Sequence, residues 1–530
     1  MLVRIATAIL PVLFFNPLSF GQTKIGAKRP HLVRFQVPHT LPFDDLVTLA
    51  SVDPPPAALQ ARLNTLLTEP FISNEAALDG VDPKRPAVPR VGRVVRIAEW
   101  NINRLEKRSM LLALGDVSGY EAYVGANPKL TLKKRERAIG EARGLEGADI
   151  VVLDEVDDGV KRSGYRNVPR DIARALHMNY AYGVEFVELN SIYLGVKKMD
   201  IPGGAEQESA SEKFGVDPKR DLALEGSAIL SRYPILSAKI VRLPQEYDWY
   251  HEEIGAIDEL RKAEKWTAKK VFDERLKRQV RRGGRMMLVV KLAVPEASGG
   301  ALTVVCPHLE DYTTPKGRRK QMDFVLRQIR GISGPLVVAG DMNTLDHDGT
   351  PATIKYTLVR RILLNYRFWM RQALYLVLPV PGLHYAFTAV NYFKNYHDPT
   401  AFSIPLILPN YSRWLFEDVR QFRFQDGGKL DWAGLKRASF QHRGRTLSDS
   451  NQREWKGFAT SFAYRRTYHG LVGKYKIDWM FVKEPGRKGG NPKNNHPFRP
   501  YFGRTLCGVN TGPTNRISDH CPTTLDLSLQ

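Results

Sequence analysis

Short apolar stretches alternate with amphipathic ones along most of the chain after residue 91. Residues 94–100 are predicted as a strand, and residues 148–153 as a nearly continuous apolar strand, as expected when both faces are covered. Apolar positions at helical spacing predict helices over Val168–Leu176 and 317–329. Further strands are predicted at 227–231, 287–292, 302–306, 335–339, 477–482 and 523–529. Strands with helices between them indicate an α/β architecture.

The beginning of the chain differs from this pattern. Residues 1–22 carry an early positive charge, an apolar run and a small-residue exit, which is typical of a secretory signal peptide. The run is too short to span a membrane stably, and a retained anchor or a buried helix is the alternative. Residues 23–90 are rich in proline, with leucines at helical spacing from Leu59 to Leu67. They predict an extension that packs on a main domain over residues 91–530.

Two insertions interrupt the main domain, at about 243–285 and 351–470. The first is charged and ends in the basic sequence 281–285, and the second is long and aromatic. Residues 359–378 project as a helix with arginines on one side and apolar side chains on the other. Such a helix can lie in a membrane interface, although a domain helix whose arginines face solvent is the interpretation that we favour. The apolar side consists of Ile362, Tyr366, Trp369, Met370, Ala373 and Val377.

Charge and cysteine content narrow the classes of partner and compartment. The 78 Lys and Arg residues outnumber the 56 Asp and Glu residues, which gives a net charge of +22 and favours polyanionic partners. The arginines of 281–285 are candidates for binding backbone phosphates. Three cysteines do not make a disulfide framework, and Cys306 and Cys521 lie in apolar segments typical of core positions. One Cys507–Cys521 bridge is the alternative in an exported protein.

Polar side chains recur at the ends of the predicted strands. Carboxylates and one amide at such positions suit Mg²⁺, with Mn²⁺ as the alternative, better than Zn²⁺, since no Cys/His cluster has zinc spacing. His520 is suited to carry a proton, and Asp478 is suited to orient it. The motifs are Trp-Asn-Ile at 100–102, Asp-Glu-Val at 154–156, Pro-His-Leu at 307–309, Gly-Asp-Met-Asn at 340–343, Ile-Asp-Trp at 477–479 and Ser-Asp-His at 518–520.

In this order the motifs resemble those of the endonuclease/exonuclease/phosphatase superfamily. The resemblance covers about residues 93–235, 286–350 and 474–530. It implies an α/β fold, specifically a four-layer α/β/β/α sandwich of two packed mixed β-sheets flanked by helices. It also implies metal-dependent hydrolysis of a phosphoester by in-line attack of water.

The resemblance also implies roles for individual residues. Glu155 would be the principal ligand of Mg²⁺, and Asn101 and Asp519 would complete or support the metal environment. Asp341 would orient or deprotonate the attacking water, and Asn343 would donate to a phosphate oxygen.

The two histidines would serve the phosphate and the proton transfers. His308 would contact the phosphate or the leaving group. His520, held by Asp478, would stabilise the transition state or act as the base, and the division of proton roles with Asp341 stays open. One further motif of the family is matched by Arg318 and Gln321, which are expected to support the fold or the pocket rim.

Departures from the family pattern bear on the substrate. Asp157 and Asp158 follow Glu155 where abasic-site endonucleases usually place a lysine, which argues against a dedicated repair enzyme. Together with Asp154 they are interpreted as supporting or solvated acids, with a second metal ligand as the alternative. Ser227 stands where many relatives carry an asparagine, so an amide contact to phosphate is expected to be lost.

These observations predict an exported, Mg²⁺-dependent phosphodiesterase, secreted or periplasmic, with a phosphate-containing polyanion as substrate and nucleic acid favoured. A phospholipid or sphingomyelin phosphodiesterase in peripheral contact with a membrane is the first alternative, and a phosphomonoesterase is another. A non-catalytic binding protein on the same scaffold is the remote one. No protein partner is predicted.

Overall fold

The structure is a computed structural model, and most of the predicted main domain falls within its described residues. The predicted signal peptide and most of both insertions lie outside them. Among the described residues, no helix combines the length and apolar character needed to cross a membrane. The described residues are 32–89, 91–105, 113–196, 215–255, 279–345, 411–431, 451–454, 457–468, 472–484, 501–510 and 517–529, with 366, 369, 370 and 373.

Ten strands form the first sheet, counted over the described residues. They are β1 (Phe35–Gln36), β2 (Phe71–Ser73), β3 (Ala87–Val88), β4 (Gly92–Asn101), β5 (Ile150–Asp158), β6 (Asn179–Glu188), β7 (Leu224–Ser231), β9 (Arg281–Gly283), β19 (Tyr501–Thr505) and β20 (Thr523–Ser528). Their order is β1-β2-β6-β7-β5-β4-β20-β19, with β3 beside β4 and β9 beside β6. The sheet is mixed, because β4 and β5 run parallel while their other neighbours run antiparallel.

Six strands form the second sheet in the described part of the chain. They are β8 (Ile235–Arg242), β10 (Met286–Ala293), β11 (Ala301–Pro307), β12 (Leu336–Asp341), β13 (Lys429–Asp431) and β18 (Asp478–Glu484). Their order is β13-β18-β12-β11-β10-β8. It is also mixed, with β11 and β12 parallel. Two short ribbons complete the strands: β14 (Arg453–Glu454) with β15 (Gly457–Phe458), and β16 (Phe462–Tyr468) with β17 (Val472–Tyr475).

Helices cover the outer faces of both sheets. Those with described bounds are α1 (Phe43–Ser51), α2 (Ala57–Thr68), α3 (Glu75–Leu78), α4 (Val117–Gly125), α5 (Leu132–Glu146), α6 (Val168–Leu176), α7 (Asn190–Val196), α8 (Pro315–Ile329) and α9 (Arg413–Gln421). Both predicted helices are confirmed, as α6 and within α8. Each helix begins after a residue suited to cap it. Asn167 and Thr314 accept hydrogen bonds from backbone N–H groups in the first turns of α6 and α8, and a proline follows each within two residues.

Three apolar cores separate four layers. Residues such as Ile97, Val152 and Val304 fill the space between the two sheets. Ile172 of α6 belongs to the core outside the first sheet, and Val325 of α8 to the core outside the second. The predicted α/β/β/α sandwich is therefore confirmed, and all eight predicted strands are present. Sequence reasoning had no prediction for β6, β8 or β9.

The proline-rich region before residue 91 packs on the main domain as predicted. β2 pairs with β6, so this region adds strands to the edge of the first sheet. The four leucines of α2 are buried, so the helix packs against the core outside the first sheet.

Candidate active site

The site lies at one end of the space between the sheets, where inward-facing rows of side chains change from apolar to polar. Along β4, Ile97 faces the second sheet, and Asn101 continues the same row four residues later. Along β5, Asp154 continues the row of Val152. The sandwich thus places a buried polar cluster at the strand ends without interrupting the core. Its members are Glu99, Asn101, Asp154, Glu185, Ser227, His308, Asp341 and Asp478, all at most 1% exposed.

Asn101 connects carboxylates from both sheets. Its Nδ2 donates to Glu155 Oε1 at 3.1 Å and to Asp341 Oδ2 at 3.2 Å. Its Oδ1 accepts a hydrogen bond from the backbone N–H of Asn103 at 3.0 Å, which fixes the orientation of the amide. The predicted association of Asn101, Glu155 and Asp341 is present in the structure.

A β-bulge directs Glu155 into the site. The pairing of β5 with β7 shifts between Leu153 and Val156, and Glu155 has a φ of 52°. A bulge of this kind re-aims a side chain out of the regular alternation, so Asp154 and Glu155 can serve one site although they are adjacent. Glu155 is half-buried, and Arg104 Nε lies 3.8 Å from its Oε2.

His520 and Asp478 form a buried ion pair. Nδ1 of His520 lies 2.9 Å from Asp478 Oδ1, and Nε2 lies 3.8 Å from Asp341 Oδ2. Burial works against both charges, but the attraction between the partners outweighs it. The pKa of His520 therefore lies well above its usual value, and the pKa of Asp478 lies below its own. The predicted role of Asp478 in orienting the imidazole fits this geometry.

Asp341 stands between the charged groups of the site. Burial, followed by repulsion from Asp478, raises the pKa of Asp341 to about 7. Its Oδ1 accepts the backbone N–H of Asn343 at 2.8 Å. Asn343 has a φ of 44°, and its Nδ2 donates to the carbonyl of Leu309 at 2.9 Å, which leaves one N–H of the amide for another acceptor.

A second acid–imidazole pair belongs to the same buried cluster, and sequence reasoning missed its acid. Glu185 Oε1 lies 3.1 Å from His308 Nδ1. Burial opposes both charges, yet their attraction raises the pKa of His308 to about 9, and His308 with Arg285 lowers that of Glu185 to about 2. Arg285 Nη1 is 2.9 Å and 3.0 Å from the two ring nitrogens, so it stands over the face of the imidazole.

The signal that would have found Glu185 is an acid within an apolar run. The sequence Gly183-Val184-Glu185-Phe186-Val187 has strand character, and a charge in such a run requires a buried partner. The carboxylate also accepts from Arg285 Nη1 at 2.9 Å through Oε2.

Asp154 and Ser227 join the two halves of the cluster. Ser227 Oγ lies 2.8 Å from Asp154 Oδ1 and 2.6 Å from Glu185 Oε1. Asp154 Oδ2 accepts the backbone N–H of Asp341 at 2.9 Å, and Cys306 Sγ lies 3.2 Å from Oδ1. Ser227 therefore contacts carboxylates inside the protein in place of the phosphate contact made by an amide in many relatives.

The remaining predicted residues occupy supporting positions. Asp519 is half-buried and its Oδ1 lies 3.4 Å from Ser518 Oγ, so its metal role stays a prediction. Arg318 donates to the carbonyl of Leu345 at 2.8 Å, and Gln321 accepts the N–H of Glu310 at 2.8 Å. Both support the loops after His308 and Asn343, as predicted.

Asp157 and Asp158 are buried rather than solvated. Asp157 accepts two hydrogen bonds from Arg162 at 2.7 Å and 2.9 Å, and Asp158 accepts one from Asn167 at 2.9 Å. Burial raises the pKa of each carboxyl to about 7. The interpretation as solvated acids is corrected, because neither carboxylate reaches water freely.

The basic sequence 281–285 is engaged inside the protein. Arg281 and Arg285 have side chains 2% and 3% exposed, and each lies against carboxylates. Arg282 bonds Asp53 Oδ1 at 3.0 Å and stacks on Tyr250. The expectation that these arginines neutralise backbone phosphates is therefore wrong, because their charges already have partners.

The donor set fits a divalent metal. Two buried groups in the described residues bring two carboxylates and one imidazole within 4.8 Å of one another. In both groups the histidine is ion-paired, so the carboxylate of Glu155 at the cluster edge is better placed for a hard cation. Glu155 would hold the ion and Asn101 would support it by orienting Glu155 through Nδ2, while Asp519 is the predicted further ligand.

Comparison with known proteins places this cluster in a family. A model of the Endonuclease/Exonuclease/phosphatase family matches residues 98–520, which contain every predicted site residue. The chain belongs to the endonuclease/exonuclease/phosphatase family. Members are divalent-metal-dependent hydrolases, and both the fold and the acidic cluster are consistent with phosphoester hydrolysis. A search of curated proteins found no match.

The solved structures similar to the chain include the following three. An endonuclease/exonuclease/phosphatase from Beutenbergia cavernae is 17% identical, with 82% of this chain and 72% of that chain covered and a TM-score of 0.35. Truncated TDP2 of Caenorhabditis elegans is 12% identical, with 82% and 98% covered and a TM-score of 0.34. The 3'-5' exonuclease of Neisseria meningitidis is 12% identical, with 82% and 99% covered and a TM-score of 0.34. Family membership rests on the match over residues 98–520 rather than on these similarities.

Proposed function

We propose that this family member is an exported, Mg²⁺-dependent phosphodiesterase that hydrolyses nucleic acid by in-line attack of water. The observation that carries the proposal is the presence of two buried acid–imidazole pairs that both act electrostatically on Asp341. His520 is bonded to Asp478 through Nδ1 and turns Nε2 toward Asp341, while Glu185 holds His308. Two proton carriers near one acid suit a reaction that activates water and protonates a leaving group.

The geometry supports a division of roles within this site. Asp341 is suited to accept the proton of the attacking water, and His520 to donate to a phosphoryl oxygen through Nε2. His308 is suited to protonate the leaving oxygen, and Asn343 to donate to phosphate with its remaining N–H. A divalent ion held by Glu155, which Asn101 orients, would supply Lewis-acid stabilisation of the developing negative charge.

Two observations support the wider proposal of an exported enzyme with a polyanionic substrate. The signal peptide predicted for residues 1–22 indicates export, and a disulfide joins Cys507 to Cys521, as is common in oxidising compartments. The net charge of +22 favours a nucleic acid, although the arginines of 281–285 do not contribute to that preference.

The test is Mg²⁺-dependent hydrolysis on a panel of plasmid DNA, RNA, sphingomyelin and phosphatidylinositol phosphate vesicles, and a bis-aryl phosphate. We expect cleavage of nucleic acid that Glu155→Gln abolishes and that weakens as salt is raised. Asp526→Asn is the control, since Asp526 is a buried acid that pairs with Arg96 outside the site. Equal activity of the wild type and Glu155→Gln on every substrate would refute the proposal.

A lipid phosphodiesterase is the second candidate, and one observation favours it. Tyr366, Trp369 and Met370 are helical and are 65%, 50% and 67% exposed, so these three side chains face outward rather than into the core. The arginines of 359–378 lie outside the described residues, so the interpretation that they face solvent stays a prediction. Binding to vesicles that is lost when Tyr366 and Trp369 become alanine, with turnover of lipid alone, would replace the nucleic-acid proposal with this one.

A further inference from the structure

The loop that carries His520 is closed by a covalent bond at its mouth. β19 and β20 form an antiparallel pair whose final partners before the loop are Thr505 and Thr523. One step further, the N–H of Leu506 donates to the carbonyl of Pro522 at 2.8 Å. The same register sets Cys507 opposite Cys521, and a disulfide joins them with Cα atoms 4.7 Å apart. Such spacing is that of directly opposed residues in a non-hydrogen-bonded pair.

The disulfide stands where the hydrogen-bonded ladder cannot continue. Pro522 has no N–H, so it cannot return a bond to the carbonyl of Leu506. The ladder between β19 and β20 therefore weakens just before the residues that perform chemistry. The Cys507–Cys521 bond holds the ends of β19 and β20 together at this position.

The disulfide ties His520 to a firmly anchored segment. Cys507 belongs to residues 506–510, where Val509 is fully buried and its N–H donates to Glu141 at 3.0 Å. Asn510 of the same segment donates to the carbonyl of His520 at 2.9 Å. Cys521 follows His520 directly, so the bond fixes the backbone of the catalytic histidine from its carboxyl side.

A reductant can reach this bond but not the third cysteine. Cys507 and Cys521 are both half-buried, whereas Cys306 is a free thiol with 0% exposure. The chain has three cysteines in all, so a change in redox state under native conditions would act on this one bond.

We propose that the Cys507–Cys521 disulfide is a redox-sensitive clamp on the His520 loop, so that the hydrolase turns over in its oxidised form and loses turnover when a dithiol opens the bond. In that step the S–S bond breaks and takes up two electrons and two protons. The dithiol supplies both and closes to its own disulfide, so the exchange balances and is reversed by an oxidised dithiol. The inference rests on the proposed function and concerns regulation of the same site.

The experiment compares the full chain in oxidised and reduced form after the dithiol has been removed without air. Turnover of a bis-aryl phosphate is measured with Mg²⁺, and thiols are counted in denaturant. We expect kcat to fall by about 10²-fold, as for a misplaced catalytic group, with KM nearly unchanged and with recovery on reoxidation. Thiols should rise from one to three as activity falls. Reduction lowers the unfolding midpoint in any case, because the crosslink no longer constrains the unfolded chain. An unchanged circular-dichroism spectrum at the assay temperature therefore separates the clamp from a general loss of structure.

The double variant Cys507→Ser/Cys521→Ser is the matched control. It should have the low kcat of the reduced protein and should not respond to the dithiol, which excludes an effect of the reagent on the metal. A reduced wild type that keeps full kcat with three free thiols would overturn the clamp. If the oxidised protein hydrolyses nothing, the proposed function fails, and amide hydrogen exchange decides the clamp separately. Faster exchange of residues 517–521 on reduction would support it, and unchanged exchange would overturn it.

Discussion

Replacing Asp478 with asparagine tests the proton chemistry of the site with little change of shape. Asp478 is 0% exposed and its Oδ1 lies 2.9 Å from His520 Nδ1. A hydrogen bond to a charged group contributes about 1.5–3 kcal/mol, which corresponds to about 10- to 150-fold in rate. Asparagine removes the charge and can also hold the ring in the wrong tautomer, so we expect kcat to fall by about 10²-fold or more.

The same substitution has a defined effect on pH dependence. Asp478 keeps the pKa of His520 well above its usual value, so the wild type retains the imidazolium through neutral pH. Without the carboxylate, His520 loses its proton at lower pH, and the alkaline limb of kcat moves toward acid. The pair also stabilises the fold: this contribution is complete below about pH 6.5, the usual pKa of histidine, and is lost as pH rises through the raised pKa. It is likewise lost in acid, as pH falls through the lowered pKa of Asp478.

The assay is the pH profile of kcat on a bis-aryl phosphate, with unfolding by denaturant measured in parallel. Asp526→Asn is the control, because Asp526 is 1% exposed and pairs with Arg96 at 2.6 Å away from the acid cluster. It should lower stability and leave kcat per folded molecule intact. If Asp478→Asn kept kcat within about twofold of the wild type and an unshifted profile, the bond to His520 would contribute less than the 1.5–3 kcal/mol assigned here, and the reasoning would fail.

Two other substitutions give expected outcomes. Glu185→Gln should lower the pKa of His308 from about 9 toward 6.5. The alkaline limb of the pH–rate profile should therefore move to lower pH, which titration of activity would show. An unmoved limb would exclude His308 as its origin. Arg162→Ala should lower the free energy of unfolding by about 3–5 kcal/mol, since Asp157 and Glu225 would stay buried without this partner. Burial already raises the pKa of Asp157 to about 7, so the loss should be smaller at pH 5, where the carboxyl is protonated, than at pH 8, and denaturation at both values measures this. Equal losses at the two values would contradict that account.

The sequence predicted the part of the site that follows from position at strand ends. Asn101, Asp341 and His520 lie at or beside the ends of apolar runs, and side-chain alternation brings them to one edge of the sandwich. Glu155 was predicted as a carboxylate at a strand end and again through the family motif, whereas the bulge that aims it could not be read from the residues. Glu185 was missed because it lies inside β6. Its place in an apolar run signals a buried partner, but only the fold identifies Arg285 and His308 as that partner.

Charge was the least reliable guide from sequence. The arginines at 281, 282 and 285 are close together in the sequence, which predicts a phosphate-binding surface. In the fold these side chains neutralise acids that come from distant segments, such as Glu225 and Asp53. Pairing across such sequence separations has no local signature, so net charge indicated a class of partner without locating the surface that binds it.

The strands contributed by the proline-rich region determine where the chain can be shortened. β2 covers one end of the outer edge of β6, and β9 covers the other. A fragment that starts at residue 91 would bare part of that edge and the apolar surface beneath α2. An uncovered strand edge beside apolar side chains is a template for pairing with another chain. Such a fragment should therefore self-associate in light scattering, whereas one that starts at residue 32 should not. The smallest useful expression unit includes all three strands of the extension, β1 to β3.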